Sequence, residues 1–168
     1  MSHLLENKDP SGQHDAVVRT FRPGDEAAFR DLNESWILES FSMDDKDKQI
    51  LGDPLTHVLK PGGEIFFIVR FESMLGCCAL LPLGDRSWEV AKMAVAKAHR
   101  NRGLGRHLLN SVIEHAKTSG ACKLCLKTSS ILHSAIQLYK SMGFQIVAQE
   151  SSSLCRNARA DVFMELAL

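Results

Sequence analysis

The chain has 168 residues, 45% of them hydrophobic and 24% charged, and its 20 basic and 20 acidic residues give a formal net charge of zero. That length supports one ordinary globular domain with a sizeable core, and the neutrality removes any global electrostatic case for nucleic acid or an anionic membrane surface as partner. Five cysteines, an odd number spread over apolar segments, argue against a secreted disulfide framework, and the longest apolar runs, 65–69 and 75–83, are far too short to span a membrane. Residues 1–14 are polar, contain Pro10 and Gly12 and lack a signal-peptide core. They read as a flexible tail ahead of a single domain over 15–168, with a cytoplasmic location expected.

Residues 17–21 form a first strand closed by Pro23 and Gly24. From Asp25 onward, Ala28, Leu32, Trp36 and Ile37 recur at near-helical spacing to about Phe41. The charge-rich stretch 44–48, with Ile50 and Leu51, makes a short second helix ending at Gly52, Asp53 and Pro54, and a long connection runs to Gly63. Runs 64–71 and 75–83 around Glu72, Ser73 and Met74 mark a hairpin, and Gly84, Asp85 and Arg86 turn the chain into a third strand over 87–95. A helix from Gly103 to about Thr118 carries Leu104, Leu108, Leu109, Val112, Ile113 and Ala116 on one face and stops before Gly120. Strand 122–127, helix 133–142 with Gly143 as its stop, strand 144–149, a serine-rich loop and strand 161–166 complete the chain. This order predicts an α/β fold with a mixed, mostly antiparallel central sheet of about seven strands flanked by about four helices.

The segment Arg100, Asn101, Arg102, Gly103, Leu104, Gly105, Arg106 lies between a strand and a helix. Its glycines let bare backbone N–H groups approach a ligand, and the helix aims its positive dipole end at the same spot. Residues 104–107 contain no Asp or Glu, although a first helical turn favours them, so the ligand is expected to bring the negative charge. A phosphate loop of the Walker type needs a Lys followed by Ser or Thr, and a dinucleotide fingerprint needs a third glycine where Leu108 stands. Neither pattern is present.

What remains, Arg-x-x-Gly-x-Gly at a helix start, resembles the acyl-CoA pyrophosphate loop of the GCN5-related N-acetyltransferase (GNAT) superfamily. Downstream, Ala135, Ile136, Leu138, Tyr139, Gly143 and Phe144 resemble the second signature of that superfamily at the expected distance, and residues 88–95 resemble the strand before the loop. The resemblance covers roughly 16–168. It implies an acyl-CoA N-acyltransferase fold with acetyl-CoA as cosubstrate and direct acetyl transfer to a primary amine. It implies further that the backbone of Met93, Ala94 and Val95, on a strand splayed at a bulge, holds the pantetheine arm and the acetyl carbonyl, and that Arg100, Asn101, Arg102, Gly103, Leu104, Gly105 and Arg106 hold the phosphates. Ser129 stands where many relatives carry Asn as a cofactor contact. Tyr139 matches the general acid beside the cofactor sulfur, and Glu89 the glutamate that deprotonates the amine through water.

Each assignment has a structural alternative. Met93 and Val95 also suit a core, Tyr139 suits a helix packed on a sheet, and Glu89 suits the solvent face of a strand. His99 and His133 border the two motifs and read as bystanders. Cys122 and Cys125, three apart on a strand, point to opposite faces and cannot chelate a metal, so no metal is expected. The resemblance implies that residues 25–60 and 151–161 build the acceptor site. Asp44, Asp45 and Asp47 there could attract a cationic amine but read more simply as a solvated helix start. The expected partner is a small-molecule amine, with a protein or peptide amine, a catalytically idle CoA-binding or regulatory module, and a homodimer left open.

Overall fold

The computed structural model describes residues 15–152, 154, 157 and 159–168. The tail expected over 1–14 lies outside them. Seven strands form one sheet: β1 Val17–Thr20, β2 Glu64–Arg70, β3 Ser73–Gly84, β4 Ser87–Val95, β5 Lys123–Thr128, β6 Gln145–Val147 and β7 Val162–Ala167, in the order β1-β2-β3-β4-β5-β7-β6. The helices are α1 Glu26–Ser40, α2 Asp45–Gly52, α3 Leu104–Thr118 and α4 His133–Ser141. All neighbouring strands run antiparallel except β4 and β5. The mixed sheet expected from the sequence is therefore present.

Two core clusters cover the two faces. One packs Leu104, Leu108, Leu109, Val112, Ile113 and Ala116 of α3 against Phe66, Ile68, Leu80, Leu124 and Leu126 of the sheet, with Leu138 and Tyr139 of α4 at its margin. The other packs Phe29 and Ile37 of α1 and Ile50 and Leu51 of α2 against Ile65, Phe67 and Cys77. Each fully buried Leu, Ile or Phe of this kind contributes about 1.5–3 kcal/mol of transfer free energy, so the stripe on α3 suffices to fix that helix on the sheet. Asp44 caps α2 by accepting from the Asp47 N–H at 2.7 Å, while Asp47 accepts from the Asp44 N–H at 3.2 Å.

Two expectations need correction. The long connection before Gly63 contains a π-helical turn, Leu55–Leu59, whose entry is fixed by Asp53 accepting from the Thr56 N–H at 3.1 Å. The strand expected over 144–149 pairs only at Gln145–Val147, because the chain turns into a 3-10 segment at Gln149–Ser151. Among the described residues, no helix is long and apolar enough to cross a membrane.

The most consequential feature lies in the middle of the sheet. β4 pairs with β5 only where 87–89 meet 123–125, after which β5 pairs on toward Thr128 with β7 alone. Opposite β3, β4 carries one residue too many: Cys77 faces Ala94 and Ala79 faces Ala91, so two residues, Lys92 and Met93, oppose Cys78. This is a bulge, and Lys92 takes a left-handed φ of 52° to make it. The second half of β4 is thereby left with one backbone edge free of a strand partner.

Candidate active site

A cleft of about 680 Å³ opens where β4 and β5 part. Glu89, Met93, Ala94 and Val95 wall it from β4, residues 99–101 and 103–106 from the loop and first turn of α3, Thr128 and Ser129 from the end of β5, and Leu138 and Tyr139 from α4. The sheet and both motif helices thus bring together every nominated residue except Arg102, which is exposed and lies outside the lining.

The loop's suitability for an anion lies in its backbone. Gly103 caps α3 with φ 76°, a left-handed conformation that glycine adopts without strain, and no acidic residue occupies the first turn. The first intrahelical bond runs from the His107 N–H to the Gly103 carbonyl at 3.0 Å, so the N–H groups of Leu104, Gly105 and Arg106 at the cleft have no intrahelical acceptor. A Cβ on Gly105 would stand 3.3 Å from Leu138 Cδ2, 3.5 Å from Met93 Cε and 3.9 Å from Val95 Cγ2. This glycine therefore keeps open the gap between α3, β4 and α4.

Arg100 and Arg106, expected to hold phosphates, already have partners within the protein. Arg100 donates from Nε to the Val95 carbonyl at 3.0 Å and grips Glu39 of α1 with both terminal nitrogens at 3.1 and 3.0 Å. Hydrogen bonding to Arg100 holds the Glu39 carboxyl below the usual carboxylate range. Arg106 reaches Ser141 Oγ at 2.6 Å and Met142 Sδ at 3.2 Å, stapling α3 to the end of α4. Leu104 is 7% exposed and belongs to the core, so only its backbone is available to a ligand.

Tyr139 packs edge-on to Phe144, ring centroids 5.9 Å apart, and its hydroxyl meets Met93 Sδ at 3.9 Å. A thioether is a weak acceptor, so the phenolic proton remains available to a better one. Burial pushes the phenol up from its ordinary value, and the neighbouring Cys78 thiol acts in the same sense. Tyr139 therefore stays protonated at neutral pH and is poised only to donate. Glu89 is 9% exposed, so the solvent-facing alternative does not describe it. His99 and His133 also line the cleft, and His99 Nδ1 is a buried polar atom without a hydrogen-bond partner among the described residues. Ser129 is 6% exposed on the same wall.

The opposite end of the cleft holds residues that motif reading missed. Asp47 of α2 binds Lys92 Nζ, and Arg159 grips both of its oxygens at 2.7 and 2.9 Å. Burial pushes the Asp47 carboxyl up, but hydrogen bonds and charge from Arg159 and Lys92 outweigh it and hold the group well below the carboxylate range. The solvated helix start expected for Asp47 is therefore wrong, because its side chain is 1% exposed. The only local signal was the capping-box spacing of Asp44 and Asp47, together with a lysine interrupting the apolar end of β4.

The cysteines follow their burial. Cys77 and Cys125 are pushed up to about 12 and about 11 by desolvation, which keeps them as thiols, while Cys122 is exposed. Cys155 lies outside the described residues. Among those described, no three His, Cys, Asp or Glu residues are grouped to hold a metal ion.

Comparison with known proteins agrees with this geometry. Residues 62–146 match the family model of the acetyltransferase (GNAT) domain. The uncharacterized N-acetyltransferase YsnE of Bacillus subtilis is 35% identical over 88 residues, covering 50% of this chain and 58% of that protein. The chain spans 28–58% of the lengths of the first curated relatives it matches. A GNAT-family acetyltransferase structure from Staphylococcus aureus Mu50 superposes with TM-score 0.83 at 20% identity, over 90% of this chain and 98% of that one. A Bacillus subtilis acetyltransferase in complex with CoA superposes with TM-score 0.69 at 21% identity, over 91% and 99%. At these identities the structural likeness establishes the fold.

Proposed function

The chain belongs to the GNAT acetyltransferase family, and from that premise we propose that residues 15–168 form one N-acetyltransferase domain that passes an acetyl group from acetyl-CoA directly to a primary amine, preferably of a small molecule. One observation carries the reading: the bulge at Lys92 and Met93 frees an edge of β4 inside a cleft that also holds the acid-free first turn of α3 and the Tyr139 hydroxyl. The neighbours solved with CoA and acetyl-CoA support the choice of cosubstrate. So does the fit of this chain, in which Gly105 keeps a gap that a Cβ would crowd and His99 Nδ1 lacks a partner among the described residues.

Acetyl-CoA supplies an acyl group activated as a thioester. The residues of the chain divide the remaining work. The free edge of β4 at Met93, Ala94 and Val95 orients the acyl arm, and the backbone from Asn101 to Arg106 receives the phosphates at a helix N-terminus. Glu89 accepts the proton that the acceptor's ammonium must lose before its nitrogen can attack. Tyr139 donates a proton to the sulfur as the carbon–sulfur bond breaks, and the new carbon–nitrogen bond completes the exchange. The nitrogen sheds a second proton as the amide forms, which restores Tyr139 by way of solvent, and Glu89 returns its proton to solvent, so each turnover releases the amide, the CoA thiol and one proton.

The test is thiol release from acetyl-CoA over a panel of amines, run beside a direct measurement of acetyl-CoA binding. Amine-dependent release above the hydrolytic background is expected. Tight binding with no release from any amine would instead describe an idle CoA-binding module.

A further inference from the structure

One wall of the cleft carries charge that acetyl transfer itself does not use. Asp47 accepts two bonds from Arg159, one from Lys92 and one from the Asp44 N–H. Four bonds fill the acceptor sites of a carboxylate, whereas an ammonium has three donors and a guanidinium five, most of them unspent on Asp47. Two cations therefore share one saturated anion.

Their arrangement is directional. Lys92 and Arg159 line the cleft beside Trp36 and Asn157, while Asp47 and the nearby Asp44 do not. The side chains of Lys92 and Arg159 are only 11% and 14% exposed, so the surface they present is cationic and poorly screened by solvent. Arg159 is held in place by more than Asp47: its guanidinium carbon lies 5.8 Å from the ring centroids of both Trp36 and Phe41. The carboxylate of α1 that lines the cleft, Glu39, is already gripped by Arg100. Glu89 stands on the same strand three residues before Lys92, so a negative and a positive group follow each other along the cleft wall.

We propose that the acceptor is a zwitterion, an amine whose molecule also carries a carboxylate, with the carboxylate seated on Lys92 and Arg159 and the amino group directed to Glu89. An amino acid has this charge pattern. A polyamine or a lysine side chain within a protein brings no anion to the cationic wall. The inference rests on the acetyl-transfer reading and narrows its substrate.

The experiment compares, for several side chains, an amino acid with its primary amide and with the amine lacking the carboxylate, reading kcat/KM from CoA release. The amino acid should win by about tenfold or more, chiefly through KM, on the scale of a charge-assisted hydrogen bond. The ratio should collapse toward one in Arg159→Gln. That variant also disturbs Asp47, so inhibition of the unaltered protein gives a second reading. The acid lacking the amino group should compete with the amino acid but not with acetyl-CoA. Amides and simple amines turned over as well as the amino acids, or no competition by the acid, would overturn this inference and leave acetyl transfer standing. No CoA release from any acceptor, with acetyl-CoA bound, would overturn both.

Discussion

The two ends of the cleft handle charge by opposite means. At the α3 end, the donors are backbone N–H groups on a continuous stretch of chain, and the nearby arginines are tied to Glu39, Ser141 and a backbone carbonyl. At the α2 end, the charge belongs to side chains from three distant parts of the sequence, gathered on a carboxylate that is 1% exposed. A backbone site loses little to most single substitutions because its donors are common to all residues except proline. A buried ion cluster concentrates its dependence on one group, and removal of that group leaves like charges facing each other without compensation.

The largest effect expected from this contrast is therefore on stability and at Asp47. Asp47→Ala strands Lys92 and Arg159 and should cost about 3–5 kcal/mol of unfolding free energy, measured by urea titration. The carboxyl sits below its unfolded pKa of about 3.9, so its contribution is complete above that value and is lost as pH falls through the lower folded value. The gap between the unaltered protein and Asp47→Asn should accordingly hold from neutral pH to about pH 4 and shrink below it. A loss under about 1 kcal/mol for Asp47→Ala would mean that the cluster is hydrated and the contrast between the two ends is false.

At the reacting centre the expected effect is on turnover. Tyr139→Phe keeps the ring against Phe144 and removes only the hydroxyl, so acetyl-CoA affinity should hold while kcat falls by roughly 10². Because burial raises the phenol above its ordinary value of about 10, the unaltered protein should show no alkaline loss of kcat from this group below about pH 10. Near-normal turnover in the variant would return Tyr139 to a packing role.

A smaller effect belongs to the backbone end. Gly105→Val should raise the KM for acetyl-CoA about tenfold, or ~1.4 kcal/mol, by crowding Leu138 and Met93. The cause differs from a simple block of the phosphates, since the added carbons point into the gap between α3 and α4. An unchanged KM in a folded variant would show that the gap is wider in solution than the 3.3 Å contact implies.

The contrast also explains what could be read in advance. The glycines 103 and 105, the acid-free helix start and the alternating strands were legible because each is a local property: backbone conformation, helix dipole and the period of side-chain burial act over a few residues. The Leu138, Tyr139, Gly143 and Phe144 pattern placed α4, and residue 93 was expected at a bulge through resemblance. Periodicity alone could not locate that bulge, because an extra residue is visible only when β3 is laid beside β4. Nor could it show that Arg100 would turn to Glu39, a partner 61 residues away.

By itself, then, the sequence determined the order of elements, the sheet class and the glycine loop that opens α3, since these follow from short-range sterics and apolar spacing. Only the tertiary structure decided that Asp47 is buried, that Lys92 turns inward at φ 52°, and that Arg159, 112 residues from Asp47, closes the cluster. The reason is that an ion pair has no sequence period. Its partners are chosen by where the fold brings charges out of water, and the energy that joins them exists only once that burial has occurred.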